Sequence, residues 1–271
     1  MTMIIDAHAH VYPDKIAAKA SQAVGSFYDT SITGTGTVEQ LLATGERCGI
    51  DKFLIHSVAT TPHQVESINR FISNAINKYP DKLIGFATTH PDHEDQQQVL
   101  EQAQEMGMQG VKLHPDFQEF PINDKRMWPV YAYCEKHNLP ILFHTGDPRY
   151  KYSSPHLILP VLESFPDIRL ICAHFGGWSQ WDEAQEYLAD TNVMVDCSSS
   201  FPFMSDERAL ELIECYGEDR IFFGSDFPMW DPGEELAHLR SLPLSRQTLE
   251  KILSGNLLRF LKTDNQPQPK A

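Results

Sequence analysis

Positive charge is scarce in this chain, cysteine pairs are absent, and no long apolar run occurs. Lysine and arginine together number 22 against 37 aspartates and glutamates, a formal charge of −15. Nucleic acid and anionic membrane surfaces are recognised through basic patches, so neither is an expected partner. An acidic small molecule stays admissible, because a bound cation reverses the local field. No stretch approaches the ~18 consecutive apolar residues of a membrane span. Asp6 interrupts the first apolar residues and no basic segment precedes them, so no secretory leader is expected. Cys48, Cys134, Cys172, Cys197 and Cys215 form no Cys-x-x-Cys pair and are odd in number, which points to free thiols in a reducing cytoplasm.

What is present is an alternation. Short β-rich runs occur at residues 3–8, 52–56, 83–88, 109–113, 140–144, 169–174, 193–197 and 220–224. Amphipathic helical patterns lie between them, at 39–48, 64–78, 94–106, 125–137 and 206–216. Strand and helix in alternation imply a parallel sheet. Eight such units imply an α/β fold closed into a (β/α)8 TIM barrel, which needs about 250 residues; the chain has 271. Thr37 and Asp206 are expected N-caps, and Gly49, Gly107 and Gly217 are expected helix stops. Pro140 and Pro166 end helices before the fifth and sixth strands. Residues 1–262 are expected to form one barrel domain. The polar, Pro-rich residues 263–271 are expected to form a frayed tail.

The first strand candidate runs into Asp6-Ala7-His8-Ala9-His10. Residues i and i+2 of a strand share a face, so two imidazoles stand side by side at its end. Imidazole is the commonest metal-ligating side chain. Other strand candidates also end in polar groups. The fourth ends in Gly110-Val111-Lys112-Leu113-His114-Pro115 and the fifth in Phe143-His144-Thr145-Gly146. The sixth ends in Ala173-His174-Phe175-Gly176-Gly177 and the eighth in Gly224-Ser225-Asp226-Phe227-Pro228. Barrel enzymes gather their active sites at this C-terminal rim.

The succession resembles the amidohydrolase superfamily, in the branch that contains aminocarboxymuconate semialdehyde decarboxylase and related decarboxylases. The likeness spans nearly the whole chain. It rests on the segments just quoted around His8, His144, His174 and Asp226, and on Gly255-Asn256-Leu257-Leu258-Arg259-Phe260 at the end. The resemblance implies a metal ion held by His8, His10, His144 and Asp226. It makes His174 either a ligand to a second ion or a catalytic base. Lys112 stands where binuclear members carry a bridging group, often a carboxylated lysine. Unmodified, Lys112 is instead a cation that orients an anionic substrate. The decarboxylase relatives are mostly mononuclear, so one or two ions are both expected outcomes.

Three imidazoles and a carboxylate suit a divalent first-row metal, zinc first and manganese second. Such a site keeps a position open for water, whose pKa the ion lowers toward ~7. Asp226 is expected to take that water's proton and return it to the leaving group, as base and then acid. His114, Arg149 and Trp178 are the expected substrate-binding residues, with Arg149 offering a bidentate partner to a carboxylate. Ser198-Ser199-Ser200 is expected near the pocket. His90, ending the third strand, is expected either to line the pocket or to be structural, and His56, ending the second, is expected to be structural. His63, His93, His137, His156 and His238 are expected to face solvent. The expected activity is hydrolysis of a C–N or C–O bond in a small carboxylated molecule by metal-activated water. Metal-dependent nonoxidative decarboxylation is the alternative, and a metal-binding barrel without turnover is the third reading. A homodimer is the default assembly.

Overall fold

All eight expected strands form in the computed structural model, which describes residues 2–32 and 34–262. They are β1 (Ile5–His10), β2 (Lys52–His56), β3 (Leu83–Gly85), β4 (Val111–Leu113), β5 (Ile141–Phe143), β6 (Leu170–Cys172), β7 (Met194–Asp196) and β8 (Ile221–Phe222). Strands β3 to β8 are shorter than their apolar runs. Past each end the chain keeps single hydrogen bonds, such as His144 N–H to the Leu113 carbonyl at 3.0 Å, and then bends away. Every neighbouring pair is parallel. The ladders β1–β3 and β4–β8 meet at two seams, where Ala87 bridges Val111 and Ala9 bridges Phe227. The sheet therefore closes on itself as a (β/α)8 barrel.

The helices follow the sequence patterns closely, with one exception at a cap. Helices occupy Val38–Cys48, Val65–Lys78, Gln96–Glu105, Trp128–Lys136 and Asp206–Tyr216. Thr37 caps its helix by accepting from Gln40 N–H. Asp206 is not an N-cap: Ser205 accepts from Arg208 N–H in that role, and Asp206 is the first helical residue. A carboxylate there still faces the positive end of the helix dipole. Gly49, Gly107 and Gly217 have φ of 74, 88 and 76°, positive values that glycine adopts without steric cost and that stop a helix. Helix α1 (Asp14–Tyr28) was not among the expected patterns; it lies across the barrel mouth. The expected tail, 263–271, lies outside the described residues. Among the described residues no helix is long and apolar enough to cross a membrane.

Packing assigns each strand residue a side. Ile5, Ala7, Leu54, Phe86, Leu142, Ile171, Ala173, Met194 and Phe222 form the cluster inside the barrel, with Leu257 beneath them. Their neighbours Phe53, Ile55, Ala87, Val111, Leu113, Ile141 and Phe143 face the helices. Lys112 lies between Val111 and Leu113 and is in register with inward-facing Leu142, so its side chain points into the barrel. The C-terminal helix (Asn256–Lys262) closes the floor. There Asn256 donates to the carbonyls of Glu218 and Ile221, both at 2.8 Å.

A β-bulge in β1 decides where the first histidines point. Asp6 pairs with Phe53 and Ala9 with Ile55, so β1 uses one more residue than β2 over this stretch. Ile5 and Ala7 face inward, yet Ala9 packs in the outer layer. An inserted residue reverses the alternation. Without it Ala9 would face the barrel and both histidines would face the helices. Asp6 supports the bulge by accepting from His8 N–H and Ser225 N–H, each at 3.0 Å.

Candidate metal centre at the barrel mouth

Asp196, at the end of β7, sets the state of His8. Its Oδ2 lies 2.9 Å from His8 Nδ1. A carboxylate only accepts, so His8 Nδ1 carries the proton and Nε2 presents its lone pair. That nitrogen stands 3.4 Å from Asp226 Oδ1 and 3.3 Å from Lys112 Nζ. His10 Nε2 lies 3.3 Å from the same Asp226 oxygen. Asp226 follows β8 with φ 60° and is anchored by its N–H to the His8 carbonyl at 2.8 Å. Its second oxygen accepts from Ser199 Oγ at 2.6 Å, and Ser199 accepts from Trp230 Nε1.

The electrostatics keep these donors deprotonated. Burial, with help from the nearby Lys112 charge, lowers His8 to about 4. Burial also lowers His10. For Asp226 burial opposes ionisation, but the His8, His10 and His174 rings outweigh it and hold the carboxyl below the usual range. Burial brings the fully enclosed Lys112 ammonium down to about 8. Neutral imidazoles and an ionised carboxylate are the forms a metal ion binds.

His144 and His174 belong to a second chain of contacts. His174 Nδ1 lies 2.9 Å from the Ser198 carbonyl, so it carries the proton and leaves Nε2 bare. His144 Nδ1 donates to that nitrogen at 3.0 Å. His144 Nε2 then accepts from the Tyr28 hydroxyl at 3.4 Å. His114 Nδ1 accepts from Phe117 N–H, so its Nε2–H donates to the Tyr28 oxygen at 3.0 Å. Each neutral tautomer is thereby determined by its neighbour. The His114 ring stacks between Phe117 and His144, at 3.7 and 4.0 Å between centroids. Asp116 Oδ2 lies 3.8 Å from His144 Nε2, and burial raises its carboxyl to about 7.

The structure thus brings His8, His10, Asp226 and Lys112 together directly. It joins His144 to them through His174, whose ring stacks 5.2 Å from that of His8. Arg149 is engaged elsewhere: it donates to both Asp147 oxygens, at 2.9 and 2.7 Å, and to the Phe27 carbonyl at 2.7 Å. Its guanidinium lies among Phe27, Tyr28, Tyr150 and Trp178 and pins the end of α1 to the loop after β5. Trp178 packs edge-on against Tyr28 at 5.3 Å. His90 accepts from Asp92 N–H within a local turn. His93, His156 and His238 pair with Glu66, Glu183 and Asp206.

Sequence reading missed Asp196, Tyr28 and the setting of His56. Asp196 left a signal, an acid inside the apolar run 193–197. Tyr28 left none, because its place depends on how α1 crosses the mouth. A cavity of about 20 Å³ touches His10, Tyr28, His114, His144 and Asp226, room for an ion or a water. A groove of about 710 Å³ opens beside it, lined by His10, Ile16, Val24, Phe27, Phe71 and Phe117 among others.

Glu235 lies behind the site in the helix Pro232–Ser241, 4% exposed, with Oε2 lacking a hydrogen bond. Burial, then the Asp6 and Asp226 charges, raise its carboxyl to about 8. Between its unfolded value of ~4.5 and 8 the folded protein holds the extra proton, so this residue lowers stability as pH rises through that window. Urea unfolding of Glu235→Gln and the parent should diverge by on the order of 2 kcal/mol between pH 5 and 8, the variant gaining. Parallel curves would remove the assignment.

The donor set fits a divalent cation. Donors ~2.1 Å from a tetrahedral ion stand about 3.4 Å apart. That is the spacing of His8 and His10 from Asp226, 3.4 and 3.3 Å. Known proteins resemble the chain in sequence and in fold. A 2-amino-3-carboxymuconate-6-semialdehyde decarboxylase from Dictyostelium discoideum is 21% identical over 238 residues, covering 73% of this chain. The match spans 66% of that decarboxylase, just under two thirds of its length. An uncharacterized TIM-barrel protein from Bordetella bronchiseptica superposes with TM-score 0.80 at 20% identity, over 96% of this chain and 98% of its own. A manganese-bound dihydroxybenzoic acid decarboxylase from Polaromonas sp. gives TM-score 0.74 at 14% identity, over 97% of both chains. At these identities the structural likeness concerns the fold. The family model described as Amidohydrolase matches residues 5–263, which takes in every strand and every residue of the site, and on that match this chain belongs to the amidohydrolase family.

Proposed function

We propose that this chain is a metal-dependent nonoxidative decarboxylase of a small carboxylic acid with an apolar or aromatic body. The observation that carries the reading is the His8–His10–Asp226 donor set opening beside a largely apolar groove. The decarboxylase matched in sequence and the decarboxylases matched in fold support a lyase over a hydrolase. His8, His10 and Asp226 would hold the ion; His144, the further ligand that the family resemblance implies, has its two nitrogens taken by His174 and Tyr28 and enters the proton chain instead. Manganese, bound in a structural neighbour, and zinc both suit these donors. When bound, the ion supplies positive charge that anchors the substrate and stabilises the electron pair left on carbon.

The remaining work falls to the protein's own groups. The apolar groove takes the substrate body and excludes water from it. Lys112 is the buried cation facing the substrate carboxylate. The C–C bond breaks, CO2 leaves, and the electron pair on carbon takes up a proton. The His174–His144–Tyr28–His114 chain supplies that proton, with His174, held through Nδ1 by the Ser198 carbonyl, as the acid nearest the ligands. Trp178 and Arg149 hold the rim closed through Tyr28 and Phe27.

The test is an assay of aromatic and unsaturated carboxylic acids for CO2. One CO2 per substrate consumed is expected, with activity lost on chelation and regained with Mn2+ or Zn2+. Turnover that releases an amine, alcohol or ring-opened acid without CO2 would instead establish hydrolysis at the same residues. Metal content of one ion per chain, with Lys112 unmodified by mass, is the expected companion result.

A further inference from the structure

The imidazole of His56 is fully enclosed, yet neither of its ring nitrogens has a hydrogen-bond partner. One nitrogen of a neutral imidazole must donate and the other must accept. Leaving such groups bare in the interior forfeits their hydration with nothing in return. Among the buried histidines of the described residues no other ring is orphaned at both nitrogens. A structural histidine would hydrogen-bond to something, and an apolar residue would fill the space without this penalty.

The position of His56 says what completes it. His56 ends β2 two residues after inward-facing Leu54, so it points into the barrel at the mouth. It is in register with His10. Its ring lies edge-on to His10 at 4.4 Å between centroids and to His8 at 4.9 Å. One donor nitrogen from each of His8, His10 and His56 falls within 4.8 Å of the other two. No carboxylate pairs with His56, while His8 and His10 both face Asp226. His144, by contrast, has both nitrogens engaged, with His174 and Tyr28.

We propose that His56 is a metal ligand, delivered by β2 to the same ion as His8, His10 and Asp226. The inference rests on the metal-dependent reading above and assigns one more residue to that ion. Four donors then come from three adjacent strands of the closed ring, β8, β1 and β2. The ion fills the space between them and satisfies one His56 nitrogen. The other ring nitrogen remains for a water or a substrate group.

The test is Co2+ titration of metal-stripped protein, followed by its visible absorption, for the parent, His56→Gln and His56→Asn. Far-UV circular dichroism checks that each variant is folded. The parent is expected to bind one Co2+, and the variants to bind it at least ~100-fold more weakly with an altered spectrum. Folded variants that match the parent in affinity and spectrum overturn the proposal and leave the metal-dependent reading standing. A parent that binds no Co2+ overturns both. Crystals of the parent with Mn2+ give an answer that needs no variant. An anomalous peak within about 2.3 Å of a His56 nitrogen supports the proposal, whereas a peak ligated only by other residues overturns it.

Discussion

Asp226→Asn is expected to lower turnover by roughly 1,000-fold or more and to cut metal content well below one ion per chain. The substitution is nearly isosteric, and asparagine tolerates the left-handed backbone that Asp226 adopts at φ 60°. The fold should therefore survive. What is lost is the one carboxylate that reaches both His8 Nε2 and His10 Nε2. Ser199 still donates to the remaining side-chain oxygen, which turns the amide NH2 toward the two imidazoles. Donor hydrogens then occupy the space where negative charge held the cation. Elemental analysis and single-turnover rates check both halves of the expectation. A variant that keeps a full metal complement and parental turnover would sink the assignment of Asp226.

Gly146→Ala should cost at least ~3 kcal/mol of stability, a fall in melting temperature of about 6–12 °C. Gly146 has φ 80°, and a Cβ there would lie 2.3 Å from Trp178 N, 2.4 Å from Gly177 C and 2.6 Å from Trp178 O. All three are backbone atoms, so no side-chain rotation relieves the overlap. The loops after β5 and β6 must separate, although Trp178 N–H bonds to the Thr145 carbonyl at 2.8 Å. These loops carry His144, His174 and Trp178, so activity should fall with stability. Gly49→Ala is the control: φ is 74° and ψ 32°, but nothing lies within 4 Å of its added Cβ. It meets only the left-handed backbone cost, about 1–2 kcal/mol. Equal losses in the two variants would mean that the close approach of the loops is not what matters at Gly146.

Much of the site was legible because strand ends in a barrel have a fixed destination. His8, His10, His144, His174 and Asp226 each close an apolar run, Lys112 lies within one, and each reaches the mouth. The residues that hold them in state were harder to read. Asp196 looked like the end of a strand, and only the distance to His8 shows that it sets a tautomer. Arg149 looked like a free cation on a rim loop, but Asp147 and the Phe27 carbonyl take its donors. Tyr28 sits on a helix whose crossing of the mouth depends on long-range packing. His56 was visible as a strand-end histidine and was read as structural; the bare nitrogens appear only once its surroundings are known.

Local order was written into the sequence: eight apolar runs, the caps at Thr37 and Gly49, and the polar group closing each run follow from periodicity and side-chain chemistry. Facing was not. His8 and His10 share a side in any extended strand, but the bulge between Asp6 and Ala9 turns that side inward. Nothing in Asp-Ala-His-Ala-His announces the extra residue, because a bulge is a mismatch with a partner strand some fifty positions away. Ring closure, which sets β8 against β1 and brings Asp226 to the histidines, likewise depends on pairing between the two ends of the chain.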